Sequence, residues 1–241
     1  MRRLAFGLVL LGAAGCPASQ SFLTARSLPK GDIQHTVGVE FLGVDYRNSD
    51  CAPDDEECLD PIGFAAVPWL AYAVRVGATD WMEVGGKYST SGLLSLDLKF
   101  ELFRSEYFDL AVDPGLSFTP GGALFTEDRE DAVGIDAAFT YFFLPVLGSF
   151  NFGPVTITLQ PRMSYMLLFS QSASFTDGLF LGGGVSIHWR VSDVVTLIPG
   201  FDYQVLTAPS NNSANFFSGG IAVSFGDQPQ YETPSASQPS L

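Results

Sequence analysis

Charge is scarce in this chain of 241 residues. Asp, Glu, Lys and Arg together make up only 16% of it, against about a quarter in soluble domains, so little of the folded surface is built for water. Basic residues are the scarcest, 12 Lys and Arg against 26 Asp and Glu, a formal net charge of -14. With no basic stripe to displace phosphate counterions, nucleic acid is excluded as a partner. Histidine occurs twice and cysteine three times. Two cysteines without nearby histidines make a poor zinc site, and neither a metal nor a cofactor is expected. No apolar run of about 20 residues follows the N-terminus, which excludes helical membrane spans. No Pro/Ser linker divides the middle of the chain, so a single domain is expected.

What the chain has instead is aromatic residues, 13% of the total, and alternation. In 93–118, Leu94, Leu96, Leu98, Phe100 and Leu102 alternate with Ser95, Asp97, Lys99 and Glu101. After a short polar break the pattern resumes with Phe108, Leu110, Val112, Leu116 and Phe118. Strand side chains point alternately to opposite faces, so this is a hairpin with one apolar and one charged face. The same period recurs along the chain. It predicts strands over 33–46, 64–78, 81–89, 93–103, 107–118, 132–143, 155–168, 179–191, 194–205 and 216–225.

Apolar faces need either a protein core or lipid. Aromatics gather toward the ends of those faces (Phe41, Tyr72, Phe118, Tyr141, Phe143, Tyr165, Trp189, Tyr203, Phe225), as interfacial girdles require. Breaks between strands are mostly short on one side and long on the other, another mark of an outer-membrane barrel. The expected fold is therefore all-β: a single antiparallel up-and-down transmembrane barrel of about ten strands, between roughly 8 and 12, with a lipid-facing exterior and a polar, charged lumen. A soluble barrel with the two faces exchanged is the alternative.

Local irregularities are expected as well. The apolar parity changes at Leu42, which predicts a bulge near Gly43, and Pro114, Pro161 and Pro199 fall at matching places in three strands, where further bulges are predicted. In the sixth strand Val133, Ile135, Phe139, Tyr141 and Phe143 are expected outward, with Asp136 and Thr140 inward.

The N-terminal stretch has two arginines, an apolar run and small residues, a secretory signal. Ala13-Ala14-Gly15-Cys16 resembles the lipobox of bacterial lipoproteins, with Ala13 where that family prefers a larger aliphatic residue. The resemblance implies lipidation of Cys16 and retention at the outer membrane, since Pro17 rather than aspartate follows. Ordinary cleavage just beyond Cys16 is the alternative. Lipidation would leave Cys51 and Cys58 as a natural disulfide pair in an oxidising compartment. The expected organisation is a signal over 1–16, a periplasmic tether over 17–32, the barrel over 33–225 and a disordered Ser/Pro/Gln-rich tail over 226–241. Both termini are then periplasmic.

With the apolar face outside, the lumen receives Glu40, Arg75, Glu83, Lys87, Asp97, Lys99, Glu101, Asp109, Asp113, Asp136, Arg162, His188, Arg190 and Asp202. Buried charges need partners, so a network of mixed sign is expected. Ser186 and His188 share one inward face but are expected to stand a strand period apart, unbonded, and no catalytic group is expected. The acidic stretch 50–60 lacks the oxygen spacing of a calcium loop. From 24 to 225 the chain resembles the uncharacterised small outer-membrane barrel proteins of Gram-negative bacteria, the myxobacterial type in particular. Thr24-Ala25-Arg26-Ser27-Leu28-Pro29-Lys30-Gly31 and Arg75-Val76-Gly77-Ala78-Thr79-Asp80-Trp81-Met82-Glu83-Val84 carry the likeness. Three roles follow in order: a plugged structural or surface-interaction barrel, a narrow cation or small-solute channel, and an outer-membrane hydrolase. Its partners would be outer-membrane lipid, lipopolysaccharide and, during insertion, the barrel-assembly machinery.

Overall fold

Alternating residues can bury one face only by pairing into a sheet, and a sheet avoids unpaired edges by closing on itself. The computed structural model describes residues 22–48, 67–90, 92–119, 138–169, 177–208 and 212–231. Within them lie β1 (Ile33–Asn48), β2 (Val67–Thr79), β3 (Met82–Ser89), β4 (Leu94–Arg104), β5 (Phe108–Val112), β6 (Gly115–Thr119), β7 (Ala138–Phe152), β8 (Val155–Phe169), β9 (Asp177–Ser192), β10 (Val195–Ala208) and β11 (Asn212–Gly226). β5 and β6 are two halves of one barrel strand, so the eleven segments make ten strands. Each pairs antiparallel with its sequence neighbour, and β11 closes on β1 from Gln34↔Gly226 to Asn48↔Asn212.

Among the described residues the exterior is an apolar belt that includes Leu70, Leu96, Leu98, Leu159, Leu181 and Ile221. Its aromatic fringe includes Tyr72, Phe118, Tyr165, Trp189, Tyr203 and Phe225. The interior is lined by Gln34, Thr36, Ser95, Ser117, Ser149, Thr158, Gln160, Ser186, Gln204 and the charged side chains. A water-soluble protein would bury the first set and expose the second. Lipid is the solvent that fits this arrangement. Ile221, 57% exposed, sits within the belt, and Ile221→Arg is expected to destabilise the barrel by about 2–4 kcal/mol, as measured for cations placed mid-depth on a lipid face. Loss of heat-modifiable gel mobility at lower denaturant measures it; an unchanged midpoint would speak for water outside.

Connections at one end are uniformly tight: after Thr79, at 105–107, at 153–154 and at 193–194. Gly153 takes φ 73° there, a conformation that favours glycine. This turn end also carries both ends of the barrel, Ile33 and Gly226. At the opposite, loop end, the turn after β3 is also short, with Gly92 at φ 82° and Ser89 N donating to Leu93 O at 3.0 Å.

Four expectations need correction. First, β1 keeps one register through Gly43 with no bulge, because Phe217 on β11 lays its ring over Gly43, where a Cβ would come within 1.9 Å of it. Second, the prolines do not shift register. The pairings on either side of Pro161 in β8 and of Pro199 in β10 keep one offset, and what lapses is local pairing on one flank, toward β7 and β9 respectively. A proline loses one N–H, and the other neighbour holds the strand straight. Asp113-Pro114 interrupts the strand between β5 and β6, yet the offset to β4 is the same before and after it, and Pro114 O still accepts from Leu98 N at 3.0 Å. Shifts occur near strand ends instead, as between Glu101 and Phe103.

Third, β7 continues past Phe143 to Phe152 and its faces are reversed: Tyr141 is 2% exposed and Phe142 is 48% exposed. A strand that is aromatic on both faces carries no period with which to fix its phase, and a slip of one residue inverts every side chain. Fourth, residues 22–31, expected as a tether, run up inside the lumen, and Asp227 to Tyr231 of the expected tail pack against the turn end. Cys16, Cys51, Cys58 and Asp136 lie outside the described residues.

Candidate functional site

Two adjacent rungs of the wall hold the densest chemistry. Gly77, Glu83 and Lys99 stand side by side across β2, β3 and β4, and Arg75, Gly85 and Asp97 stand side by side one step toward the loop end. Gly85 is the gap through which Arg75 and Asp97 meet, since a Cβ there would lie 2.4 Å from Asp97 Oδ1 and 2.6 Å from Arg75 Nη1. The Arg75 guanidinium donates to Glu83 Oε2 at 2.7 Å and reaches Asp97 Oδ1 at 2.6 Å and Asp113 Oδ1 at 3.3 Å. Lys99 Nζ lies 2.8 Å from Glu83 Oε1. Arg104 pairs with Glu101, Lys87 with Glu40, and Arg162 stands 3.9 Å from Asp202.

Five wall carboxylates in the turn-end half, Glu83, Asp97, Glu101, Asp109 and Asp113, thus stand with three wall cations bonded within the group, Arg75, Lys99 and Arg104, while Arg190 at the same end lies against Tyr231. Arg26, from the segment before β1, supplies a fourth. Its Nε and Nη2 clasp Asp109 Oδ2 and Oδ1 at 3.0 and 2.8 Å, and it also donates to the backbone oxygens of Ser105 and Gln230. Asp109 is completely buried. Bidentate pairing with a guanidinium is the arrangement that best compensates a buried carboxylate.

Around this pair the rest of the segment is packed. Ala25 sits against Ala111 and Leu147, and Phe22 against Ile198 and Ala222. Lys87 Nζ lies over the Phe22 ring at 5.7 Å. Phe22 lines two lumen cavities, one of about 60 Å³ with Arg75, Lys87, Tyr141 and Arg162 in its wall, and one of about 30 Å³ with His188, Arg190 and Tyr231. It is the partition between them. Below, the Tyr231 ring is stacked between Arg26 at 4.4 Å and Arg190 at 4.9 Å. Burial raises the Tyr231 phenol above its ordinary range, so the ring stays neutral between the two cations. Gln228 ties the tail to Gln34 and Thr196, each at 3.0 Å.

No family model matches the chain, and no curated protein does. Among solved structures it is similar to the outer membrane protease OmpT from Escherichia coli, at 10% identity and a TM-score of 0.48, over 86% of this chain and 100% of that one. It is also similar to OprG from Pseudomonas aeruginosa, at 10% identity and a TM-score of 0.38, over 85% and 99%. A third is Ail, the attachment invasion locus protein of Yersinia pestis, at 10% identity and 0.33, over 81% and 99%.

Of the residues assigned to the lumen from sequence, Glu40, Arg75, Glu83, Lys99, Asp109, Asp113, Arg162, His188 and Asp202 are buried inside the barrel. The side chains of Lys87, Asp97 and Glu101 are nearly so, and Arg190 is half-buried at the turn end. Ser186 and His188 depart from expectation: Ser186 Oγ and His188 Nε2 are 3.0 Å apart. The strand's curvature and an adaptable imidazole close the gap that an ideal pleat would leave. The His188 ring also faces the Leu23 backbone. Sequence reading missed Arg26 and Tyr231 because both lie outside the alternating strands; Arg26 is one of two basic residues, with Lys30, between Cys16 and the first strand, which is a weak signal.

Proposed function

We propose that this chain is an outer-membrane barrel of a Gram-negative bacterium, closed by its own N-terminal segment, and that its role is structural or surface-interacting through the loop end. One observation carries the reading: residues 22–28 occupy the turn-end half of the lumen, with Phe22, Thr24, Ala25, Arg26, Ser27 and Leu28 all buried. Among the described residues the wall charges are largely taken up in mutual pairs and in holding that segment, which supports a closed lumen. Lipidation of Cys16, a Cys51–Cys58 disulfide, periplasmic termini and contact with lipopolysaccharide belong to the same reading.

A narrow cation path is the second reading, and the excess of carboxylates over wall cations favours it. A hydrolase has less support. The Ser186 hydroxyl is held by His188, but the serine is wholly buried, and a nucleophile needs room for its substrate. Conductance of the refolded mature chain in a planar bilayer separates the first two readings. Silence from a barrel with heat-modifiable mobility is the expected result, and reproducible cation-favouring steps would sink the closed-lumen reading.

A further inference from the structure

The buried segment is held mainly through its backbone. The amides of Ala25, Ser27 and Leu28 donate to Ser149 Oγ, Glu101 Oε2 and Glu83 Oε1 at 2.7, 2.6 and 2.6 Å. Lys99 Nζ donates to the carbonyls of Thr24 and Arg26 at 3.0 and 2.9 Å. Among the described residues, none of 22–28 joins the strand ladder. Wall side chains, not a neighbouring strand, satisfy these groups, and these bonds do not depend on the identity of the segment's side chains.

The groups that grip the segment are also held by the wall. Glu83 is fixed by Arg75 at 2.7 Å, Glu101 by Arg104 Nη2 at 2.8 Å, and Ser149 by Thr158 at 2.8 Å. Asp109 accepts from Asn151 Nδ2 at 2.8 Å and from Ser105 N at 3.2 Å. Side chains that merely collapsed around a plug would have no need of such supports. The cleft is preorganised. Its shape is matched too: a Cβ at Gly77 would lie 2.0 Å from the Pro29 carbonyl oxygen, so the wall is relieved where the peptide crosses β2. Two side chains of the segment are read closely, Arg26 by Asp109 and Ala25 by the tight contact with Ala111 and Leu147.

We infer that the turn-end lumen is a peptide-binding site, filled here by the chain's own residues 22–30, whose ligand class is a non-helical peptide that bends at a small residue directly before an arginine. This goes beyond the closed-lumen reading, because silence in a bilayer says nothing about whether the cleft accepts a peptide in trans.

Lys30 is exposed, so a specific protease site inserted after it allows the folded full chain to be cut between segment and barrel. The cut protein is then incubated with a fluorescein-labelled synthetic peptide of residues 22–30, and anisotropy is followed in detergent micelles. Saturable uptake is expected, at least tenfold weaker for the peptide carrying Arg26→Ala and for a barrel carrying Asp109→Asn. The peptide variant leaves the barrel untouched, so the comparison survives if Asp109→Asn fails to fold. Release of the cut segment without uptake, by a barrel that keeps its heat-modifiable mobility, overturns the inference. So does equal uptake of the Arg26→Ala peptide, or competition by arginine amide as effective as by the unlabelled peptide, which would reduce the site to a guanidinium pocket.

Discussion

Arg75→Met is expected to lower the stability of the folded barrel by about 3–5 kcal/mol, the usual cost of removing one partner from a buried ionic group. Methionine is close to arginine in volume, so packing changes little and the loss is electrostatic. Glu83, Asp97 and Asp113 would be left around a neutral side chain, with Lys99 on Glu83 as the remaining close cation among the described residues. The midpoint of urea unfolding, followed by gel mobility in micelles, reads the loss. Adding Asp113→Asn to Arg75→Met should restore part of it, because one of the uncompensated carboxylates is then neutral and isosteric. Additivity of the two changes would mean that Arg75 and Asp113 are not energetically coupled, in contradiction to their 3.3 Å contact.

The barrel tolerates such a cluster because its exterior leaves no other place for charge. A soluble protein can turn an awkward carboxylate to water; here the outward positions on the same strands belong to lipid. The glycine at position 85 and the charges that meet over it are therefore parts of one solution. A small residue on the inner wall lets long side chains from the flanking strands pair in a narrow lumen.

Alternation made the ten strands and the inward placement of the wall charges legible, because a two-residue period sorts lipid from lumen on β4, β8, β9 and β10 without any knowledge of the partner strand. It failed on β7, where Tyr141, Phe142 and Phe143 offer apolar side chains to both faces. Prolines misled for a different reason: a barrel strand has two neighbours, and Pro161 and Pro199 keep their register through the unaffected one. The segment over 22–31 was least legible. Its amides and carbonyls are satisfied by Glu83, Glu101 and Lys99, 55 to 75 residues away, and a partnership at that separation leaves no local pattern. A short polar stretch with no period of its own looks the same whether it hangs in solvent or is held inside.

Arg26→Ala makes a contrast with Arg75→Met, since both break a buried pair of the same kind on opposite sides of a covalent boundary. Arg75 belongs to the wall, so its loss traps charge in a place that cannot be vacated. Arg26 belongs to a segment joined to the barrel only through Gly31, so the segment can leave and water can reach Asp109, Glu83 and Glu101. The barrel itself is then expected to keep its urea midpoint to within about 1 kcal/mol, while the local opening of residues 22–30 becomes easier by about 1.5–3 kcal/mol, the worth of charge-assisted hydrogen bonds. At 1.4 kcal/mol per factor of ten, hydrogen exchange at the amides of Ala25, Ser27 and Leu28 should quicken by roughly ten- to a hundredfold, with strand amides unchanged. Brief conducting events should appear in bilayers where the unaltered chain is silent. Unchanged exchange at those three amides would show that Phe22 and Ala25, packed against Ile198, Ala222, Ala111 and Leu147, hold the segment without the help of the ion pair. The closing element would then be apolar, and Phe22→Gly would be the substitution that opens it.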